Sequence, residues 1–466
     1  MNEVYRNNVR GKIYRLLYNM NKDTRIQVQT PVGLTRESVT GETVGQGTVE
    51  GAVISAVNLD NGVAEQFDDD DEITYGDVQL GPMLFQDDVA RLSLTVTSAQ
   101  SANLKMEEVA ERKLLDFNLS KSCYVVIGSK QRRLQMMKQL EDTPLTLCNS
   151  EMVSSDTIKY LGDLLSCNGL KDSVKITVAK RRQVVSRACY EIRHIVDDFR
   201  SQTVGGLAAG LQLWEMCVIP MLLYNSETWL EIGNDVVVEL EKMQYSFLRY
   251  LFAIGNGCPL PLLLSETGTI LIELRILKRK VLFLHHLENL PEESLAKQVY
   301  NAQTRMCLPG IIHECSEFLA KFGLSDLKQF SKSQFKKVVT EKIKFLNKEK
   351  LIQLIRDKRY KKINIEKIEH DNFEQKPYLN NLTLYDARLR FRIESQMVES
   401  VKMNFQSDRA FKAELWKCTA CGKSDSQQHL LYCEGYKVYR KDRDLSQDKD
   451  LVAYFRNIIQ DRLDNM

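Results

Sequence analysis

At 466 residues, with 43% hydrophobic and 27% charged side chains, the chain has the composition of an ordinary folded protein, which excludes wholesale disorder and a fibrous repeat. That length allows about three domains. The net charge of +2 conceals an uneven distribution, because residues 68–72 are a run of five acids while 321–370 hold 15 Lys and Arg against 6 Asp and Glu. The second segment should prefer a polyanion.

Near the start, Ile13, Leu16, Leu17 and Met20 have helical spacing, and "TRIQVQT" after them alternates like a strand. A glycine-rich stretch and the acidic run lead to "ITYGDVQLGPMLFQDDVARLSLTV", which reads as two strands of a buried hairpin with Asp87 and Asp88 at the tight turn. A helix is expected over 99–117, then a buried strand in "KSCYVVIG" ending at Gly128, then a strand pair from "LTLCNSEMV" and "TIKYLGDLL". From about Lys171 the pattern is helical, with long candidates in "DVVVELEKMQYSFLRYLFAI" and "TILIELRILKRKVLFLHHLENL". Residues 204–223 are the nearest approach to a membrane span, but Gln212, Glu215 and Pro220 interrupt them, so a buried core helix is expected and no membrane partner. The basic segment has its own apolar stripe (Phe335, Val338, Val339, Ile343, Leu346) and should be folded helix. Trp229 reads as core. The fold class is therefore α+β, a mixed front third followed by a helical remainder.

Eight of the 11 cysteines are isolated, which is unlike a disulfide framework and points to a reducing compartment. The first residues lack the apolar run of a signal peptide, so secretion is not expected. The other three, Cys418, Cys421 and Cys433, stand with His429 in "CTACGKSDSQQHLLYC". A Cys-x2-Cys knuckle followed by His-x3-Cys offers four ligands of the kind a structural zinc ion takes, with Gly422 suited to the turn around the metal. A site closed by four protein ligands leaves no open position for catalysis.

Asp87 and Asp88 pose a different problem. Two carboxylates about 4 Å apart repel by roughly 4 kcal/mol at an effective dielectric of about 20, so the pair is unfavourable unless a cation compensates it. Magnesium suits it, because this hard ion takes one or two carboxylates together with substrate phosphates. A solvated Asp-Asp turn is the plainer alternative.

Several segments, in order, resemble the motifs of reverse transcriptases. "F-Q-D-D" (Phe85 to Asp88) resembles their aromatic-x-Asp-Asp motif, and Gly45, Gln46 and Gly47 in "VGQGTVEG" look like the Gln-Gly motif that lines the template and nucleotide pocket. "LDFNLSKSCYVVIGSK" looks like the next motif and puts Lys121 where a lysine meets the leaving pyrophosphate. Tyr160, Leu161 and Gly162 in "TIKYLGDLLS" resemble the primer grip, and "VIPMLLYNSETWL" resembles a thumb segment of non-LTR retrotransposon polymerases. The terminal Cys/His module is similar to the one that follows the thumb in that family. The resemblance implies a palm over 1–170 that includes the primer-grip hairpin, a helical thumb over 171–300, a basic helical connector over 301–415, a zinc knuckle over 416–440 and a C-terminal helix over 441–466. It implies RNA-directed DNA polymerase activity, with an RNA template, a DNA primer or target and dNTPs as partners, two Mg2+ ions at Asp87 and Asp88, and a structural Zn2+. Lys336, Lys337, Arg356, Lys358, Arg359, Lys361 and Lys362 could neutralise phosphates of the bound strands in a salt-sensitive, largely sequence-independent way.

The family also uses a third carboxylate on an earlier strand. These 466 residues begin after the place of that motif, and Asp23 lacks strand context. Two acids from one turn hold metal poorly without a ligand from a separate strand. The expectation is therefore an N-terminally truncated polymerase that is weak or inactive as this chain. The competing reading is a non-catalytic RNA- or DNA-binding remnant.

Overall fold

A computed structural model describes residues 10–22, 24–27, 29–40, 73–198, 203–255, 258–308, 310–358, 373–398 and 417–464, together with Tyr5 and seven single positions between 56 and 67. The chain divides into two units, Met1–Ser173 with Leu290–Pro309 and Val174–Asn289 with Gly310–Met466.

The first unit opens with α1 (Gly11–Asn21), whose Ile13, Leu16 and Met20 are exposed. Next come the antiparallel pair β1 (Thr24–Ile26) and β4 (Ser38–Thr40) and, between them in sequence, β2 (Gln29–Thr30) and β3 (Gly33–Leu34). The hairpins β5 (Ile73–Tyr75) with β6 (Val78–Leu80) and β7 (Met83–Phe85) with β8 (Asp88–Ala90) lead into α2 (Val96–Lys113). This helix is three residues earlier at its start and four shorter at its end than the apolar pattern suggests. The Thr95 hydroxyl accepts from the Ser98 N–H at 3.1 Å and fixes the start. Leu114, at φ 54°, turns the chain left-handed and fixes the end.

The expected buried strand "KSCYVVIG" shrinks to β9 (Cys123–Tyr124), with Cys123 and Ile127 exposed. Its neighbour, β12 (Val153–Ser154), runs parallel to it for two residues, and α3 (Lys130–Asp142) begins at the Ser129 cap. The expected pairing of "LTLCNSEMV" with "TIKYLGDLL" is also corrected. Each folds back on itself, as β10 (Thr146–Leu147) with β11 (Ser150–Glu151) and as β13 (Thr157–Tyr160) with β14 (Asp163–Ser166). The cause lies in the connections: Cys148 and Asn149 (φ 49° and 57°), and Leu161 and Gly162 (φ 46° and 91°), are two-residue turns with both φ positive, the twist that closes a tight hairpin. Among the described residues the strands form seven two-stranded ladders, six of them antiparallel. Isolated ladders of this size are marginal in water and need helices to pack against.

After α4 (Leu170–Asp198) the chain is helical: α5 (Gly206–Leu213), α6 (Asn234–Leu251), α7 (Leu260–Thr267), α8 (Ile272–Glu288), α9 (Leu295–Arg305, in the first unit), α10 (Ile311–Phe322), α11 (Lys332–Lys358), α12 (Leu384–Glu394), α13 (Gln427–Tyr432) and α14 (Asp448–Asp464). The buried core helix expected over 204–223 runs continuously over 206–222, with a π-helical turn inside it. The π-helical turn is Trp214–Val218, directly after α5, and one α turn, Ile219–Leu222, follows with Pro220 as its second residue. Leu207, Leu211, Trp214, Val218 and Leu222 are buried, and Trp229 is buried as well. Among the described residues no helix is long and apolar enough to cross a membrane. The basic segment folds as α11. Its fully buried stripe is Phe335, Val339, Ile343, Asn347, Leu351 and Ile355, one residue every four, whereas Val338 and Leu346 are half-buried. The whole is an α+β protein.

Candidate functional site

Asp87 and Asp88 sit at the end of the β7–β8 hairpin, where Phe85 pairs with Asp88 and Gln86 and Asp87 form the connection. Only Gln86 has positive φ (58°), the sign pattern of a type II′ turn whose first position glycine ordinarily takes. A non-glycine residue there stores backbone strain, which in folded proteins clusters at functional sites. The expected burial is corrected. Phe85, Gln86, Asp87 and Asp88 are all exposed, and among the described residues no third strand joins the ladder to cover them. Leu84, in the middle of β7, lies against the core cluster of Leu59, Val63, Met106 and Val109. Both carboxylates face solvent with no ion-pair partner among the described residues.

Two other segments are linked to this hairpin, one through a shared core and one through charge. Phe117, four residues before Lys121, packs on the same cluster as Leu84. Lys121 follows in a turn, its N–H on the Asn118 carbonyl at 2.9 Å and its side chain exposed. Tyr160, half-buried at the end of β13, has its phenol pKa raised first by burial and then by the charge of Asp88. The charge of Asp88 is thus felt at the Tyr160 phenol although 72 residues separate the two in sequence. Gly45, Gln46 and Gly47 lie outside the described residues.

The second cluster is more fully built. The Cys418 N–H donates to the Lys423 carbonyl at 2.7 Å and the Gly422 N–H to the Cys418 carbonyl at 2.8 Å, so the chain loops tightly between the first two cysteines. Gly422, at φ 71°, takes the left-handed position in that loop. The Ser426 hydroxyl accepts from the His429 N–H at 3.0 Å and starts α13, which delivers His429 and, just past its end, Cys433. The four ligand atoms of Cys418, Cys421, His429 and Cys433 all lie within 4.8 Å of one another. Cys418 Sγ and Cys433 Sγ are 3.8 Å apart, and Cys421 Sγ is 3.1 Å from His429 Nε2. Tetrahedral zinc with Zn–S near 2.3 Å would require sulfur atoms about 3.8 Å apart, so this Cys3His set could hold a metal such as zinc. Burial pushes the Cys433 thiol up to about 11, while the Lys423 backbone N–H lowers that of Cys421.

Behind the ligands stands a group with no local sequence signal. Arg462 of α14 reaches Cys418 Sγ at 3.9 Å, the Tyr436 hydroxyl at 3.1 Å and both oxygens of Asp425 at 2.8 and 3.1 Å. Asp425 is completely buried. Burial alone would lower the Arg462 guanidinium, but its bonds to Asp425 and Tyr436 outweigh that and raise it. Asp425 and Arg462 are 37 residues apart, and neither belongs to a spacing motif.

In the basic segment Lys336, Lys337 and Arg356 are exposed on α11. Lys358 is its last residue, and Arg359, Lys361 and Lys362 lie outside the described residues. Acids already engage part of the helix's charge, with Lys350 on Glu273 at 2.7 Å and Lys344 on Glu374 at 3.9 Å. No family model matches this chain, and no curated protein matches it.

Proposed function

We propose that the chain is the palm, thumb and C-terminal region of an RNA-directed DNA polymerase of the non-LTR retrotransposon kind. The observation that carries this reading is the meeting of three separate motifs in the first unit. Leu84 and Phe117 share one core, and Asp88 lies close enough to Tyr160 to raise its phenol. In this reading the β7–β8 and β13–β14 hairpins belong to a palm remnant, and Tyr160, Leu161 and Gly162 steady the primer end beside the paired acids. Asp87 and Asp88 would hold magnesium, which when bound supplies positive charge to the phosphates of an incoming dNTP. Phe85, Gly45, Gln46 and Gly47 line the nucleotide and template, and Lys121 donates to the leaving pyrophosphate. Helices α4 to α8 act as the thumb. Zinc is the ion of the Cys3His cluster, and the cations of 321–370 hold RNA and DNA backbones.

The β7–β8 hairpin supplies two carboxylates from one turn, and such chemistry also uses one from a separate strand, so on these two alone polymerisation should be weak or absent. Primer extension on an RNA template with dNTPs and magnesium should give almost no product. Robust incorporation abolished by Asp87→Ala would overturn the inactivity. A labelled primer-template should nevertheless bind at low salt, and failure to bind would count against both the polymerase and a second reading, a non-catalytic RNA- or DNA-binding remnant. That second reading is favoured by the exposure of both aspartates, since no described group closes the site over them.

A further inference from the structure

Helices α8 and α11 pack antiparallel, and their side chains fix the register. At one end the His285 ring stacks on Phe335 with centroids 4.4 Å apart, and its Nε2 lies 3.1 Å from the Phe330 carbonyl. At the other end Asn347 Oδ1 accepts from the Leu271 N–H at 3.0 Å, and Lys350 pairs with Glu273 at 2.7 Å. Lys278, midway between Leu271 and His285, therefore lies across from the stretch between Lys336 and Lys344. Those two lysines flank the buried stripe of α11 by one residue each, on the row Lys332, Lys336, Thr340, Lys344 and Lys348. Arg275, one turn before Lys278, shares its face.

The charges on this seam do not balance. Both oxygens of Glu215 are taken by Arg275, at 2.5 and 2.8 Å, while Glu374 stands 3.9 Å from Lys344. Lys278 is half-buried and makes no ion pair or hydrogen bond among the described residues. Burial lowers its ammonium from the ordinary lysine value, the charges of Lys336, Arg275 and Lys344 lower it further, and Glu215 alone opposes them. Like charges gathered around a partly desolvated cation are unfavourable unless an anion joins them. The row on α11 repeats every four residues, about 6 Å at 1.5 Å per residue, which suits a linear polyanion better than a single small anion.

We propose that Lys278, Lys336 and Lys344 form a phosphate seam between α8 and α11 that takes the phosphodiester backbone of a single nucleic-acid strand. The proposal rests on the nucleic-acid-binding part of the reading above and adds the half-buried Lys278, which the charge pattern of 321–370 does not include. Phosphate, not base or sugar, is what the seam recognises.

The test measures binding of labelled 20-nucleotide oligo(U) RNA and oligo(dT) DNA to the full chain by fluorescence anisotropy across salt concentrations. Lys278→Gln, Lys336→Gln and Lys344→Gln should each weaken both ligands about 3- to 10-fold at low salt and flatten the log–log salt slope by about 0.7 for each phosphate no longer neutralised. Lys138→Gln, at an exposed lysine of α3, sets the effect of removing one charge elsewhere. Seam variants no weaker than Lys138→Gln overturn the proposal and leave the nucleic-acid reading standing, and so does a loss confined to RNA or to DNA. No binding by the parent chain overturns both. Lys278→Met keeps the side-chain length and removes the charge, so it should melt higher than the parent without nucleic acid while binding more weakly. A midpoint equal to or below the parent's would mean that the chain already compensates the charge, and would overturn the seam.

Discussion

Arg462 shows how a distant side chain can back a Cys3His cluster able to hold a metal. It stands behind Cys418 and holds the buried Asp425 carboxylate, and outer groups of this kind commonly tune metal affinity by about 10- to 100-fold. Arg462→Met should therefore weaken zinc binding by about that factor, read by competition with a chromophoric chelator. It should also destabilise the fold by about 3–5 kcal/mol, because Asp425 would be left charged and buried. The double variant Arg462→Met with Asp425→Leu separates the two effects. Removing both charges should restore most of the stability, whereas the affinity stays low. Full recovery of both would show that Arg462 acts only as the counter-ion of Asp425. The four ligands were readable from their spacing because a tetrahedral site limits which intervals can close. Arg462 and Asp425 were not, since a buried ion pair needs only an approach in space.

At the scale of elements, the start of α8 is held by side chains from two other helices. Asn347 of α11 accepts from the Leu271 N–H and donates to the Thr269 carbonyl at 3.4 Å, and Glu241 of α6 accepts the N–H groups of Ile272 and Glu273, the latter at 3.4 Å. Asn347→Ala would leave those two backbone groups buried without a side-chain partner, and the melting free energy should fall by about 1–3 kcal/mol. Glu241 predicts a pH dependence. Burial pushes its carboxyl up to about 7, although the two N–H bonds pull it down. A carboxyl whose folded value lies above its unfolded value of 4.5 binds its proton more tightly in the folded state. Its contribution is then fully present below about pH 4.5 and is lost as the pH rises to about 7, a change of order 3 kcal/mol. The thermal midpoint should fall across that window, and Glu241→Gln should flatten this part of the fall. An unchanged slope in the variant would assign the dependence to other groups. The long helices were legible because their apolar periods run through four or more turns. The short strands were not: two-residue turns with positive φ at Cys148–Asn149 and Leu161–Gly162 decide the pairing, and neither Leu161 nor Cys148 is a residue that announces such a turn.

At the scale of the whole molecule, the Cys3His cluster belongs to the second unit through its neighbours. The Tyr454 hydroxyl of α14 donates to the Leu430 carbonyl of α13, Gln427 donates to the Ile393 carbonyl of α12 at 2.6 Å, and Arg462 links α14 to Cys418. A segment this small has little core of its own, so metal binding should contribute directly to its folding. The first unit depends on none of these bonds: Val109 and Met106 of α2 pack with Leu59 and Val63 in a separate cluster. A strong chelator should therefore raise amide hydrogen exchange across 417–464 and the facing side of α12 while leaving α2 unchanged. Restoring zinc should reverse the rise, and magnesium should not, because the set of three sulfurs and one nitrogen suits a softer ion. Equal exchange with and without chelator would mean that α12 and α14 hold the module without the ion. A rise of equal size in α2 would mean that the metal supports both units through one cooperative core, contrary to the two separate clusters described above.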